Sequence, residues 1–500
     1  EEQRKRDEAA REEQLQRLRD VDLTLRQATG HFSATPTPAT VGKRAYEALV
    51  SAGKWRLVPE VGPPVITEAQ SREVEISIVN QSGRPLRESR LICWFTPHLQ
   101  RLVDKAGAKV GKMLLVNSER HPWVLDPHLG AASKPDLFCV HPAFWKEQKS
   151  ATDQEHDGPG FCFGVLAEWT CRDCVECVWE WKVQMGNDDF SALGEGIEYC
   201  KRLSHLNEST RSTLDVARAR GTRLIVCDWK TFFLVRCMDG IPVECSVGSW
   251  ASCGSEEAVV NFLSAEVSRT WASVLGSVCI QLDVELDGQS FLGCGAVGRV
   301  FKVTARNGAP AALKVAFGED GCSNLRAEFH VYQAFQQRLS GITSVTCGTG
   351  HCHDWGDKHQ GHPAFAGLLL TPLGGKLPQS KSAMRSALQG LKRLSEEGFK
   401  HGDARQPNVI WNAAGGQAVW VDIRMLSEVA VDESARAQAF ASDVADLAKS
   451  LKIDLSGSMQ SLCSELVCAE PGSQAAATGM EQLLDMFAPF WTAGQGTGGR

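Results

Sequence analysis

The sequence lacks any long hydrophobic run and any excess of positive charge. No stretch of its 500 residues approaches the roughly 18 consecutive apolar residues of a bilayer-spanning helix, so we predict no transmembrane segment and no membrane partner. Lysine and arginine number 53 against 60 aspartates and glutamates, a formal net charge of −7. This balance argues against a chain wrapped in nucleic acid, although a local basic groove is compatible with it. Because the chain begins with Glu1 and not with methionine, the absence of a signal peptide excludes nothing.

Dense clustering of cysteine is also absent. The 18 cysteines are scattered over both halves of the chain, whereas disulfide-stapled domains are short and cysteine-dense. We therefore predict reduced thiols and an intracellular protein. This argument does not distinguish cytoplasm from nucleus, and secretion as an effector stays open.

The length of the chain exceeds what one compact hydrophobic core accommodates, so two or more domains are expected. Hydrophobic residues make up 43% and charged residues 23%, which is typical of globular proteins. Composition shifts and hydrophobic periodicity predict a multidomain α+β protein with five segments. These are a charged helix (1–30), a linker with a short helix (31–60), a first mixed domain (61–250), a helical bridge (251–284) and a second mixed domain (285–500).

A glycine-rich turn opens the second domain. Gly293, Gly295 and Gly298 follow a G-x-G-x-x-G pattern between two apolar, strand-like stretches. Glycines at this spacing let backbone N–H groups approach phosphate oxygens without obstruction by a Cβ atom. A dinucleotide-binding turn shares the spacing but needs a helix at its third glycine. Here the strand pattern continues, which favours a hairpin that covers phosphates.

Lys314 and Glu328 follow the turn, and each is the expected ion-pair partner of the other. Alternation along the next strand puts Lys314 among small side chains on one face, which suits an ammonium group that binds nucleotide phosphates. A helix that we expect to begin at Ser323 or Asn324 puts Glu328 in an apolar stripe. An unpaired carboxylate there would be costly, so we predict that Lys314 and Glu328 form an ion pair.

The strongest motif lies between His401 and Asn408 and reads HGDARQPN. Asp403 can accept the hydrogen bond of an acceptor hydroxyl, which makes it the candidate catalytic base. Asn408 and Asp422 offer oxygen ligands for Mg²⁺ against nucleotide phosphates. Arg405 can neutralise a transferring phosphoryl group.

This segment resembles the protein-kinase catalytic loop H-R-D-x-x-x-x-N, with Asp422 at the position of the metal-binding Asp of D-F-G. The residues of this motif are most similar to those in the kinase domains of Crinkler-type effectors and related atypical kinases. The resemblance covers about 160 residues, from Gln289 to Leu451. It implies a bilobal kinase-like fold, ATP and Mg²⁺ as cofactors, a hinge at 368–374, and a helix aspartate at Asp443.

Three departures from the kinase pattern bear on the acceptor. Gly402 stands where the family has arginine, and Ile423 and Arg424 replace Phe-Gly. About 20 residues separate Asp422 from Asp443, with no A-P-E motif between them, so a full activation segment cannot fit. We expect no switch by activation-loop phosphorylation.

Two carboxylates and a lysine mark the first domain. Asp136 precedes an apolar strand, and Glu180 and Lys182 share one face of the strand at 177–183. Such a set suits a metal-dependent phosphodiesterase, in which Asp136 and Glu180 hold Mg²⁺ or Mn²⁺ and Lys182 orients the attacking water.

This second pattern is similar to the PD-(D/E)xK restriction-endonuclease-like family, and Crinkler-type effectors commonly join such a domain to a kinase domain. The resemblance implies an α/β nuclease-like fold and nucleic acid as a partner, with nuclease activity left open. Basic residues available to line a groove are Lys201, Arg202, Arg211, Arg218 and Arg220.

Two further clusters could bind Zn²⁺. One is the C-x2-C-x2-C run of Cys171, Cys174 and Cys177, and the alternative there is surface thiols. The other is the pair His351 and His353, followed by His359 and His362, for which the alternative is an ordinary solvated loop.

The sequence therefore predicts an ATP-dependent phosphotransferase, in the first place an atypical protein serine/threonine kinase, fused to a nuclease-like domain. One alternative is a kinase of a small molecule or unusual acceptor. Another is a pseudokinase scaffold without catalysis, against which the joint presence of Lys314, Asp403, Asn408 and Asp422 weighs. Phosphoacceptor and oligomeric state do not follow from the sequence.

Overall fold

The protein is a mixed α/β chain in which a nine-stranded sheet precedes a five-stranded sheet and a group of C-terminal helices. No helix in the part that the structure describes is long and apolar enough to cross a membrane. The computed structural model describes residues 37–80, 88–125, 132–149, 162–185, 190–204, 221–238, 240–264, 271–295, 298–339, 347–354, 364–430, 432–455 and 459–492.

The N-terminal sheet has the order β1-β11-β10-β9-β8-β5-β2-β7-β6. The pairs β8–β9, β2–β7 and β1–β11 are parallel and the other neighbours are antiparallel. A two-stranded ribbon, β3–β4, lies apart from it. The strands are β1 Trp55–Leu57, β2 Leu114–Asn117, β3 Val124–Leu125, β4 Ala132–Ser133, β5 Leu137–Val140, β6 Trp145–Glu147, β7 Cys162–Leu166, β8 Val175–Trp181, β9 Thr222–Cys227, β10 Thr231–Met238 and β11 Ile241–Ser249.

Helices cover both faces of this sheet, and strand β8 is buried between them. Val178 belongs to one core, beneath α1 (Pro38–Ser51) and α4 (Ser191–Ser204). Trp179 and Trp181 belong to the opposite core. This alternation, which the sequence predicted, follows from the two-residue period of a strand. The helices of the opposite face are α2 Glu68–Asn80, α3 Glu88–Val110 and α5 Ser255–Ser264.

The second sheet is antiparallel throughout and has the order β12-β13-β14-β16-β15. The helix α6 (Trp271–Leu282) leads into it, and α7 (Glu319–Leu339) follows β14. Its strands are β12 Val284–Cys294, β13 Arg299–Ala305, β14 Pro310–Phe317, β15 Cys347–Asp354 and β16 Phe365–Thr371.

Helices and short strands form the remainder of the chain. The helices are α8 Lys381–Glu396, α9 Glu433–Ser450, α10 Met459–Cys468, α11 Gln474–Met486 and α12 Ala488–Thr492. The strands are β17 Gly375–Lys376, β18 Phe399–Lys400, β19 Val409–Asn412, β20 Gln417–Trp420 and β21 Ser427–Glu428. Strands β17, β19 and β20 form one sheet, and β18 pairs with β21.

The two faces of the five-stranded sheet contact different halves of the protein. Ala316 and Leu368 pack into a core with the C-terminal helices. Leu313 and Val315, which alternate with them, pack into the core shared with the N-terminal sheet. The sheet is therefore buried on both sides.

Some of the predicted segments can be compared with the structure. The predicted charged helix at 1–30 lies outside the described residues. The short helix expected within 31–60 is α1, and the bridge at 251–284 contains α5 and α6.

Two local expectations are wrong. His351 and His353 lie in strand β15 and not in a loop, because this segment pairs with β16 along its length. Helix α7 begins at Glu319 and not at Ser323 or Asn324. Gly318, which has a φ of 83° and whose N–H donates to the carbonyl of Ala364, ends the strand and allows the earlier start.

Candidate functional site

Lys314 is the centre of a buried ionic group in the C-terminal half. Its Nζ lies 2.6 Å from Oε2 of Glu328 and 3.0 Å from Oδ1 of Asp422. The Lys314 side chain is 8% exposed and that of Glu328 is 1% exposed. The ion pair that the sequence predicted between Lys314 and Glu328 is therefore present, and Asp422 joins it from 108 residues away.

Burial and ion pairing act on Lys314 in opposite directions. Burial alone would lower its pKa, but the carboxylates of Glu328 and Asp422 outweigh that effect and the pKa is raised. Lys314 therefore stays a cation at neutral pH. Oε1 of Glu328 is buried and has no hydrogen-bond partner among the described residues.

Helix α7 contributes Glu328 because one of its faces packs on the sheet. Leu325 and Tyr332, one turn to either side of Glu328, are buried in the same core as the predicted stripe requires. Nη1 of Arg424 donates to Oδ1 of Asn324 at 2.7 Å, which ties the turn after Asp422 to this helix.

Asp403 is held by two neighbours in its own loop. Nδ2 of Asn408 donates to the carboxylate Oδ2 and to the main-chain oxygen of Asp403, at 2.9 Å in both cases. Arg405 clamps the carboxylate with two contacts, Nη2 to Oδ2 at 2.7 Å and Nε to Oδ1 at 2.5 Å. The side chain of Asp403 keeps about a quarter of its surface exposed (27%), so a substrate can reach it.

Two buried side chains fix the shape of this loop. The carboxylate of Asp443, in α9, accepts the N–H groups of His401 at 2.8 Å and of Gly402 at 3.0 Å. Nδ1 of His401 accepts the N–H of Asp403, so Nε2 is the protonated nitrogen and donates to the carbonyl of Val421. Burial lowers the pKa of His401 to about 4, so this neutral tautomer persists at pH 7.

Asn408 and Asp422 are brought together by the hairpin β19–β20. The N–H of Val421 donates to the carbonyl of Asn408 at 2.8 Å, one step beyond the pairing of Val409 with Trp420. Since Nδ2 of Asn408 is engaged by Asp403, its Oδ1 is the atom left to ligate a cation. Lys314 binds Asp422 at Oδ1, and the Asp422 side chain is one-third exposed (33%). One amide oxygen, from Asn408, and one carboxylate, from Asp422, fit Mg²⁺. This ion takes few protein ligands and completes its coordination shell with phosphate and water.

The glycine-rich turn forms the hairpin predicted from the sequence. Gly293 pairs with Val300, and the N–H of Gly295 donates to the carbonyl of Gly298 at 2.9 Å. A Cβ on Gly298 would lie 2.3 Å from the carbonyl oxygen of Val315, so no larger residue fits between β13 and β14 there. Gly293 and Gly295 have open space beside them, as a surface that accepts a ligand requires.

Gly402 departs from the kinase pattern for a steric reason. Its φ is 77°, and a Cβ there would lie 2.6 Å from the carbonyl oxygen of Met425. The turn that follows Asp422 thus packs directly on the loop of Asp403 and leaves no room for a side chain. Only ten residues, 423–432, separate Asp422 from helix α9.

The N-terminal carboxylates meet at the end of strand β8. Leu137 pairs with Trp179, which sets Asp136 opposite Glu180 in the antiparallel register. The N–H of Trp181 donates to Oδ2 of Asp136 at 2.6 Å. Cross-strand neighbours have Cβ atoms about 5 Å apart, so Asp136 and Glu180 face the same site.

Lys182 binds Glu180 and a residue that the sequence did not single out. Its Nζ donates to Oε1 of Glu180 at 2.7 Å and to Oε2 of Glu195, on helix α4, at 2.9 Å. The signal that could have found Glu195 is its position between Gly194 and Gly196. A Cβ on either glycine would clash with α1 or β9, so this helix turn packs tightly and presents Glu195.

Burial raises the pKa of Asp136 to about 7 and raises that of Glu180 well above its ordinary value. Oε2 of Glu180 is buried and has no hydrogen-bond partner among the described residues. The pKa of Lys182 is raised because the carboxylates outweigh its burial. Among the residues named, the site therefore has three carboxyl groups, Asp136, Glu180 and Glu195, and one cation, Lys182.

The other candidate metal ligands are not assembled. Cys171, Cys174 and Cys177 are buried thiols, not surface thiols, because the Trp169–Cys174 turn and β8 pack into the cores. Across the described part of the chain, no group of three or more His, Cys, Asp or Glu side chains could hold a metal ion. His359 and His362 lie outside that part.

The basic residues proposed for a groove are placed in part. Lys201 pairs with Glu198 at 2.6 Å, and Nη1 of Arg202 donates to Oγ of Ser133 at 2.5 Å. Arg211, Arg218 and Arg220 lie outside the described residues.

No protein-family model and no curated protein matches this chain.

Proposed function

We propose that the C-terminal half, residues 285–500, is an ATP-dependent phosphotransferase with a bilobal, protein-kinase-like fold. The observation that carries the proposal is the group Lys314, Glu328 and Asp422, which joins the sheet, helix α7 and the hairpin β19–β20 at one point. A cation held by two carboxylates beside a glycine hairpin is what binding of triphosphate and Mg²⁺ demands. The order of a small β-rich unit and then a helical unit also agrees with the kinase resemblance.

Each residue has a distinct task in this proposal. Lys314 binds the phosphates and Glu328 holds its ammonium group in place. Asp403 accepts a hydrogen bond and then the proton from the acceptor hydroxyl, whose oxygen attacks the γ-phosphorus while ADP leaves, and Arg405, now on Asp403, shifts to the transferring phosphoryl group. Asn408 and Asp422 hold Mg²⁺, which when bound supplies charge neutralisation at the phosphates.

The acceptor that we propose first is a protein serine or threonine, as for an atypical kinase. A small-molecule or unusual acceptor is the alternative, favoured by the ten-residue stretch between Asp422 and α9. Incubation of the purified chain with radiolabelled ATP, protein acceptors and small-molecule acceptors tests the proposal. Label in protein supports the first acceptor, label in small molecules the second, and no label on any acceptor contradicts phosphotransfer.

We propose as a second function that residues 61–250 form a PD-(D/E)xK nuclease-like domain that cuts nucleic acid with Mg²⁺ or Mn²⁺. The buried juxtaposition of Asp136 and Glu180 favours it, because burial raises the pKa of both carboxyl groups and a bound cation would stabilise their charged forms. Helix α4 and strand β9 also follow β8 in the order that the resemblance implies. A bound cation would supply an activated water, while Lys182 orients that water and Asp136 and Glu180 hold the cation.

Cleavage of DNA and RNA by the full chain with added Mg²⁺ or Mn²⁺ tests this second function. Cleavage that is lost in Glu180→Ala supports it. If the wild-type chain cuts neither nucleic acid with either metal, the domain is a binding module derived from a nuclease-like fold.

A further inference from the structure

A buried ion pair joins the N-terminal half to the glycine hairpin. Nη2 of Arg299 lies 2.5 Å from Oδ1 of Asp173, and the two side chains are 4% and 2% exposed. Oδ2 of Asp173 accepts the indole N–H of Trp271 at 3.2 Å. The guanidinium carbon of Arg299 lies 4.5 Å from the centroid of the Trp271 ring. Both oxygens of one carboxylate are thus bound by residues from the C-terminal side of the junction.

The two residues of this pair lie on segments that run to the two candidate sites, and Glu180 is at the far end of β8 from Asp173. Asp173 belongs to the turn Trp169–Cys174, which leads directly into β8 and so toward Glu180. Arg299 is the first residue of β13, immediately after the glycine turn, and pairs across the sheet with Val315. Val315 follows Lys314 in β14. Arg299 therefore pairs with the residue next to the lysine that we propose binds phosphate.

Apolar contacts surround the pair and keep water out. Phe144 of the N-terminal half packs edge-on against Trp271 and Phe301, with ring centroids 5.7 Å and 5.3 Å apart. Trp271 also lies 5.3 Å from Phe317 of β14. In such an environment an ion pair is poorly screened, and removal of one partner leaves an uncompensated charge.

We propose that Asp173 is a positioning residue for the phosphate-binding hairpin, which it holds through Arg299. The proposal rests on the phosphotransferase function proposed above. Gly293 and Gly295 have no side chains and open space beside them, so they do not anchor the hairpin through contacts of their own. Asp173 and Trp271 fix the base of the hairpin at Arg299, so the N-terminal half sets where the hairpin backbone meets the phosphates.

The test compares binding of ATP with binding of adenosine, which has no phosphates, in the full-length chain. We expect Asp173→Asn to raise the Kd for Mg²⁺-ATP about tenfold or more, as expected for a misplaced binding group. The Kd for adenosine should stay within about twofold of wild type, because the nucleoside does not use the hairpin. The matched control is Arg306→Gln, in the turn that follows the far end of β13, where an exposed pair with Asp283 is removed. Its two Kd values should equal those of wild type.

Asp173→Asn removes the carboxylate that balances the buried charge of Arg299, so its folding is checked by thermal unfolding. If it does not fold, the double variant Asp173→Asn/Arg299→Gln, which removes both charges of this pair, enters the same comparison with the same expected result. Equal losses for ATP and adenosine, or no loss for either, would overturn the positioning role. If the wild-type chain binds adenosine and ATP equally weakly, the phosphotransferase proposal fails, and the positioning role fails with it.

Discussion

Lys314 and Asp422 are 108 residues apart in the chain, and their Nζ and Oδ1 atoms are 3.0 Å apart in the fold. The contact links the five-stranded sheet to the segment that follows the hairpin β19–β20. Asp422 adopts a left-handed backbone conformation, with φ 59° and ψ 52°, which is uncommon for a residue other than glycine. Strain of this kind is retained where the surroundings fix it, and it clusters at functional sites.

Lys314→Met should abolish most ATP binding and phosphoryl transfer. The change leaves Glu328 and Asp422 without their cation, so we also expect a loss of about 3–5 kcal/mol in the free energy of unfolding. The matched control is Lys302→Met, an exposed lysine on the adjacent strand β13. Calorimetric ATP titration and urea unfolding measure both effects. If Lys314→Met binds ATP as tightly as the control does, the phosphate-binding role is wrong.

Gly402→Ala should reduce phosphoryl transfer strongly although it adds only one methyl group. The new Cβ meets the carbonyl oxygen of Met425 and occupies a backbone conformation with positive φ. The loop of Asp403 must move to relieve the contact. Gly416→Ala is the control, since its φ is also positive, at 60°, but open space surrounds it. Equal turnover in the two variants would show that close packing at Gly402 is unimportant.

Two buried histidines should each destabilise the fold between pH 6.5 and pH 4, against an opposite contribution from Asp136 and Asp443, whose pKa values are raised to about 7 and about 6. Burial lowers the pKa of His141 and of His401 to about 4, against about 6.5 in an unfolded chain. At these histidines the unfolded chain binds more protons in this window. Each histidine therefore lowers the free energy of unfolding by up to about 3 kcal/mol as the pH is lowered. Urea unfolding at a series of pH values measures the slope.

The variant His141→Asn isolates one of these contributions. Its amide oxygen can still accept the N–H of Ala143, as Nδ1 of the histidine does now at 3.1 Å, but it does not titrate. We expect the free energy of unfolding to fall less than in wild type between pH 6.5 and pH 4, on top of a loss from the missing buried ring that is the same at every pH. An unchanged slope would mean that His141 is not protonated on unfolding.

Glu195→Gln should impair metal-dependent cleavage if the N-terminal domain is a nuclease. Loss of this carboxylate frees Lys182 to bind Glu180 alone, so the lysine is misplaced for orienting water. Glu198→Gln, on the same helix but paired with Lys201, is the control. The rate of cleavage with Mn²⁺ at saturating nucleic acid is the measurement. Equal rates in the two variants would remove Glu195 from the site.

Strand period and local motifs were enough to predict where several residues of the two candidate sites lie. Alternation placed Lys314 and Glu180 on the correct faces because a strand has only two faces. The helical stripe placed Glu328 inward, and the cost of burying its charge identified its partner. These predictions succeed because they depend on a few residues that are close in sequence.

Contacts between distant segments could not be predicted in the same way. Nothing in the sequence around Asp173 indicates that Arg299, 126 residues later, will bind it. His351 and His353 resembled a polar loop because a strand in an antiparallel sheet is defined by its partner, here β16. The role of Glu195 depends on how α4 crosses β8, and a single sequence does not fix that crossing.

In the function that we propose, Asp403 serves the acceptor and Asp422 serves the metal. The most direct measurement compares Asp403→Asn and Asp422→Asn with wild type, both for transfer of label from radiolabelled ATP and for the Kd of Mg²⁺-ATP. We expect Asp403→Asn to lose most transfer at nearly unchanged Kd, and Asp422→Asn to raise the Kd about tenfold or more. An unchanged Kd in Asp422→Asn, or full transfer by Asp403→Asn, would contradict the account.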